Sequence, residues 1–179
     1  MNFLISSVYN WFRLFHLPSH RRNVKAASRV LSKVGVMGEW PRALGYMRKV
    51  PPQVFEELVL SVFERSGFLV QRGRRYSGDG GVDGRVWLAG RGFCSVQCKR
   101  YSGHVDMGHV REFADLCKRE GRPGLFVHTG RTGSGSAGEA RGSGLVAMVS
   151  GQDLALAAMG KRDAGEVLAK RLAKLSGRA

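Results

Sequence analysis

Between Pro51 and Ala158 the apolar residues come in two alternating patterns, and that alternation is what most restricts the fold. Residues 68–72, 82–88, 92–99, 125–128 and 145–149 are apolar runs too short for helices. Between and around them lie stretches at helical spacing. In residues 53–66, Phe55, Val59, Val62 and Phe63 share one arc, and Gly67 closes the segment. In residues 105–120, Val110, Phe113, Leu116 and Cys117 share a face, with Arg111, Asp115 and Lys118 turned away. Helices are also expected near 152–159 and 163–175, and residues 130–144 are a Gly/Ser-rich stretch. Strands interleaved with helices cannot bury their faces as a sandwich, so the pattern predicts an α/β unit with helices covering a central sheet.

Upstream the signals change. Residues 3–17 predict an amphipathic helix, with Leu4, Ile5, Val8, Trp11, Phe12 and Phe15 opposite Ser6, Asn10 and Arg13, ended by Pro18. Three roles suit it: packing on the domain or a partner subunit, lying in a membrane interface, or targeting. A weaker helix covers 24–34. Gly35, Gly38, Pro41, Pro51 and Pro52 then read as a linker. The expected division is a basic helical extension over 1–50, a central domain over 51–159, and a basic C-terminal helix over 160–179.

Charge follows this division. The net +15 is concentrated at the ends. Residues 1–50 carry nine basic side chains and one acidic, Glu39, whereas residues 51–159 carry fourteen basic and eleven acidic. Basic flanks on a near-neutral centre predict adhesion to a polyanion, nucleic acid first and an anionic membrane surface second. Three cysteines, Cys94, Cys98 and Cys117, are too few and oddly numbered for a disulfide framework and suit a reducing, cytoplasmic setting. No apolar run approaches the roughly 18 residues of a membrane span.

Three short segments carry the chemistry. On the first helix Glu56 falls at the edge of the apolar arc, half-buried, while Glu57 and Glu64 project to the solvated side. A carboxylate at a core boundary needs a cation or a metal. Ser77-Gly-Asp-Gly-Gly-Val-Asp83-Gly84 is a glycine loop that delivers Asp83 to the start of a strand. In Val96-Gln97-Cys98-Lys99, period-two alternation puts Gln97 and Lys99 on one face. Cys94 and Cys98 share the other face, as core thiols. Carboxylate and amide oxygens beside an ammonium suit Mg²⁺-assisted phosphodiester hydrolysis.

The strings FEELV at 55–59, SGFLV at 66–70, SGDGGVDG at 77–84, VQCKRY at 96–101, GLFVHTG at 124–130 and VSGQDL at 149–154 resemble, in order, the Mrr-like restriction endonuclease family. That family lies within the nucleases that share an Asp…Glu/Gln-x-Lys core. The resemblance implies a restriction-endonuclease-like mixed central β-sheet flanked by helices, here with an N-terminal helical extension. It also implies Mg²⁺-dependent DNA cleavage, with Mn²⁺ as a substitute. By position it matches Asp83, Gln97 and Glu56 to the metal-binding set, Lys99 to the catalytic lysine, and Asp79 to a supporting place in the motif. Gln97 stands where the larger group has Glu, which leaves Asp83 and Glu56 to supply negative charge. His128 stands where the family has Thr, and no DNA-reading domain is recognisable in residues 1–50.

Arg74, Arg75, Arg100 and Tyr101 are the expected DNA contacts, and a homodimer would supply two centres for double-strand cleavage. Gly130–Ser136 resembles a phosphate loop but has Ser136 where the lysine is needed. His104 and His109 lack a third zinc ligand. The leading expectation is a DNA endonuclease of restriction or defence. A structure-selective repair nuclease and a non-catalytic DNA- or membrane-binding module are its rivals.

Overall fold

The computed structural model describes residues 18–73, 81–90, 92–163, 165–167 and 170–171. The expected 3–17 helix, with its membrane contact, and Arg74, Arg75 and Asp79 lie outside these residues. The elements run α1 (Pro18–Gly35), α2 (Trp40–Met47), α3 (Pro52–Arg65), β1 (Val70–Arg72), β2 (Gly84–Leu88) and β3 (Gly92–Lys99). There follow α4 (Met107–Glu120), β4 (Gly124–His128), α5 (Ser134–Ser143), β5 (Val146–Val149) and α6 (Gly151–Ala158). Of the helix expected over 163–175, Asp163 lies outside it, and the other described residues, 165–167 and 170–171, are helical.

The five strands form one mixed sheet in chain order. β1, β2 and β3 are antiparallel neighbours, and β3, β4 and β5 run parallel. Parallel neighbours need crossover helices, and α4 and α5 supply them. Both faces are therefore covered. Cys94, Val96, Cys98, Leu125 and Val127 face the layer of α1, α2, α3 and α6. Phe126 and Val146 face α4 and α5. β4 is buried along its whole length, which is why its sequence is an unbroken apolar run. At Gly124 a Cβ would strike the Cys117 sulfur and the Phe113 ring, so glycine is what lets α4 approach β4. Asp106 caps α4 by accepting from the Gly108 and His109 amides, at 2.7 and 3.3 Å, a contribution of about 1 kcal/mol.

Three expectations change. The stretch expected as a linker contains α2, whose Pro41 sits in the first turn, where a missing N–H costs nothing. Ala43, Leu44 and Met47 of α2 join Ala27, Val30, Leu31 and Val34 of α1 in the same core as α3. The Gly/Ser-rich stretch forms α5, which buries Ser136 and Ala140 one turn apart. Glu57, expected in solvent, is 2% exposed because α1 covers that side of α3.

Candidate active site

One end of the sheet gathers the chemically distinctive side chains. There β1 ends at Arg72, β2 begins after Asp83, and β3 ends at Lys99. The β1–β2 register pairs Arg72 with Gly84, and the β2–β3 register pairs Gly84 with Val96. Asp83 is fixed on both sides by the ladder: its N–H donates to the Val96 carbonyl at 2.9 Å, and its carbonyl accepts from Gly73 at 3.0 Å. Its side-chain Oδ2 accepts the Cys98 amide at 2.6 Å, a short charge-assisted bond that locks the carboxylate against β3.

Gln97 is 8% exposed, and its Oε1 is buried with no hydrogen-bond partner among the described residues. An unsatisfied buried acceptor costs about 1–3 kcal/mol, so a water or an ion at this oxygen would be favoured. Its Nε2 occupies the space beside Gly81, 2.7 Å from where a Cβ would sit. Gly81 also has φ +94°, so the turn into Asp83 favours glycine for its backbone. Lys99 is half-buried, and its carbonyl accepts from the Thr129 amide at 3.2 Å.

Glu56 reaches this end from α3 and is half-buried, as the helical wheel predicts. Its charge is felt at Cys98. Burial first, then the negative charges of Asp83 and Glu56, push that thiol well above the usual cysteine range. The carboxylates of Asp83, Glu56 and, least, Glu57 thus bear on the Cys98 sulfur, which lies on the face of β3 opposite Gln97. Neighbouring Glu57 is committed elsewhere: Arg72 Nε bonds its Oε2 at 2.9 Å, and His20 Nδ1 lies 3.1 Å from its Oε1. Arg72 also holds Glu64, at 2.7 Å, and the Ser61 hydroxyl.

Among the described residues no three His, Cys, Asp or Glu side chains converge as a metal site. The candidate donors are the carboxylates of Asp83 and Glu56 and the amide oxygen of Gln97. Oxygen donors with a net negative charge fit a hard divalent cation, and the unsatisfied Gln97 oxygen is the atom such an ion would satisfy.

Of the expected DNA contacts, Arg100 donates from Nη1 to the Arg48 carbonyl at 3.0 Å. The Tyr101 hydroxyl pairs with His109 Nδ1 at 2.8 Å. Burial first, then the Asp106 charge, push that phenol up to about 12. His128 is fully buried, with Nε2 3.1 Å from the Thr132 hydroxyl. The sequence reading missed three supports of this end. Thr129 ties itself to both main-chain groups of Tyr101, Arg48 clamps the Thr129 carbonyl, and His20 bonds Glu57. Each contact spans 28 to 81 positions or joins segments read as separate, so no local pattern reveals it.

The description of a restriction endonuclease catalytic domain, of the Mrr type, matches residues 47–157. A solved structure, the MspJI restriction endonuclease in complex with a 27-mer oligonucleotide, is similar at 25% identity and a TM-score of 0.47. The similarity covers 68% of this chain and 31% of that one, so this chain spans about a third of that protein's length. No curated protein matches the chain.

Proposed function

The chain belongs to the Mrr-type restriction endonuclease family, and from that premise we propose that it is a Mg²⁺-dependent DNA endonuclease acting in restriction. The observation that carries the reading is the buried, unsatisfied Gln97 oxygen beside the locked Asp83 carboxylate, with Lys99 two residues along the same strand. Asp83, Gln97 and Glu56 would hold the ion. When bound, such an ion polarises a water and neutralises charge at phosphorus.

The remaining roles fall to the chain's own groups. Lys99 orients the attacking water and stabilises the developing oxyanion with its ammonium group. The Cys98 amide keeps Asp83 from rotating away, so the carboxylate is pre-positioned. Two such centres are needed to cut both strands, and a homodimer on DNA would supply them. The catalytic unit starts near Pro51 in this reading, on a core it shares with α1 and α2.

The test is plasmid cleavage by the purified protein with Mg²⁺ or Mn²⁺, on modified and unmodified DNA. Asp83→Ala and Lys99→Ala, each shown to be folded by circular dichroism, are expected to lose at least about a hundredfold in rate. Equal cutting by the folded variants would remove both residues from the chemistry.

A further inference from the structure

We propose that the outward face of α1 is a grip for the DNA backbone, with Arg22, Lys25, Arg29 and Lys33 meeting phosphates beside the cutting site. This deepens the nuclease reading and rests on it for what the bound DNA is there for.

The helix has two opposed faces. At about 100° per residue, Ala27, Val30, Leu31 and Val34 fall together and are buried. Arg22, Lys25, Arg29 and Lys33 fall within an arc of about 80° on the opposite side, and all four are exposed. No acidic residue precedes Glu39, so nothing on the helix balances them. Consecutive members stand three or four positions apart, where like charges repel. Arg21 and Arg22 also occupy the N-terminal part of the helix, where the macrodipole disfavours cations. A face kept only for solubility mixes signs; this one accepts repulsion at every step.

Other arginines in the fold behave differently. Arg72, Arg85, Arg111 and Arg162 each pair with a carboxylate. Arg22, Lys25 and Arg29 have no such partner among the described residues, and Lys33 rests over the Tyr46 ring at 5.9 Å.

Position supplies the second argument. His20, two residues before Arg22, bonds Glu57, and Glu57 bonds Arg72. Arg72 is paired with Gly84, the residue after Asp83. The stripe therefore begins at the catalytic end of the sheet and runs about 16 Å along α1, past several phosphates of a duplex. An anionic membrane is the poorer fit. A helix lying in a bilayer surface inserts its apolar face, and that of α1 is already spent on α3.

The test measures binding of the full chain to a fluorescein-labelled 30-base-pair duplex by anisotropy, without divalent metal, across a range of salt. The triple variant Arg22→Gln, Lys25→Gln, Arg29→Gln is compared with wild type. Glutamine keeps the helix, so its thermal melting should match or exceed that of wild type. We expect affinity to fall about tenfold or more on unrelated sequences alike. The log–log salt dependence should flatten by about 2 to 3. Cleavage at saturating plasmid should be unchanged, placing the effect in KM and not in kcat. Unchanged affinity and salt slope would overturn the grip, as would loss of binding to phosphatidylserine vesicles with duplex binding intact. The two readings fail separately. A wild type that binds DNA through these residues but never cuts leaves the grip standing and removes the nuclease. One that cuts while the triple variant binds equally well removes the grip alone.

Discussion

Gln97 brings an oxygen but no charge to a candidate donor set whose two carboxylates are Asp83 and Glu56. Replacing it with glutamate adds the third negative charge. Gln97→Glu is expected to lower the Mg²⁺ concentration for half-maximal cleavage severalfold. The same change buries another anion, so the metal-free protein should lose about 1–3 kcal/mol of stability. Mg²⁺ should restore it, because an ion that binds only the folded state stabilises that state. Thermal melts with and without Mg²⁺ check this, and equal melting shifts for wild type and variant would separate Gln97 from the ion. At the same scale, burial pushes His128 down to about 4, opposed by the Gly130 backbone and the Asp153 charge and aided by Arg171. The folded protein keeps this imidazole neutral while the unfolded chain protonates it near the ordinary 6.5. Stability from this residue is therefore complete above about pH 6.5 and is lost as pH falls towards about 4, by up to about 3 kcal/mol. Urea denaturation across that range should show the loss, and His128→Gln should flatten it.

The contrast between Glu56 and Glu57 shows what an element can reveal alone and what needs its neighbours. A wheel drawn on α3 places Glu56 correctly, because its position at the edge of the apolar arc depends only on the helix. It misplaces Glu57, because the burial of that side chain comes from α1 and β1, segments the wheel does not contain. Asp83, Gln97 and Lys99 are legible for the opposite reason: strand alternation and the ladder between adjacent strands are local. Helices α2 and α5 escape because their glycines, prolines and serines are poor helix formers, and contacts with α6 and α4 override that preference. The Glu57–Arg72 pair is the joint between these layers, with side chains 2% and 6% exposed. Breaking a buried pair strands a charge. Arg72→Ala is expected to cost about 3–5 kcal/mol by chemical denaturation. Arg72→Met is expected to recover part of that only when paired with Glu57→Gln. A cost under about 1 kcal/mol for Arg72→Ala would show that the joint does not hold α3 to the sheet.

Across the whole molecule, the family match starts at residue 47, while among the described residues the apolar core starts at Ala27. The basic N-terminal segment is thus structural on its inner side and electrostatic on its outer side, and the two roles occupy opposite faces of α1. The acidic chemistry stays in the near-neutral centre. The three cysteines add a consequence of their own. All are buried; Cys94 and Cys98 look towards the α1–α3 layer, and Cys117 looks from α4 towards the other face of the sheet. Burial first, then the Glu120 charge, push Cys117 up to about 12. Neither burial nor such a pKa allows a thiolate to react in the native state. Pulsed alkylation read by mass spectrometry should therefore leave the native protein unlabelled. As denaturant rises, simultaneous labelling of all three would mean that the two helical layers leave the sheet together. Early labelling of Cys94 and Cys98 would mean that the α1–α3 layer peels away first. The chain carries a two-sided clock for its own opening, set by which face each sulfur was folded against.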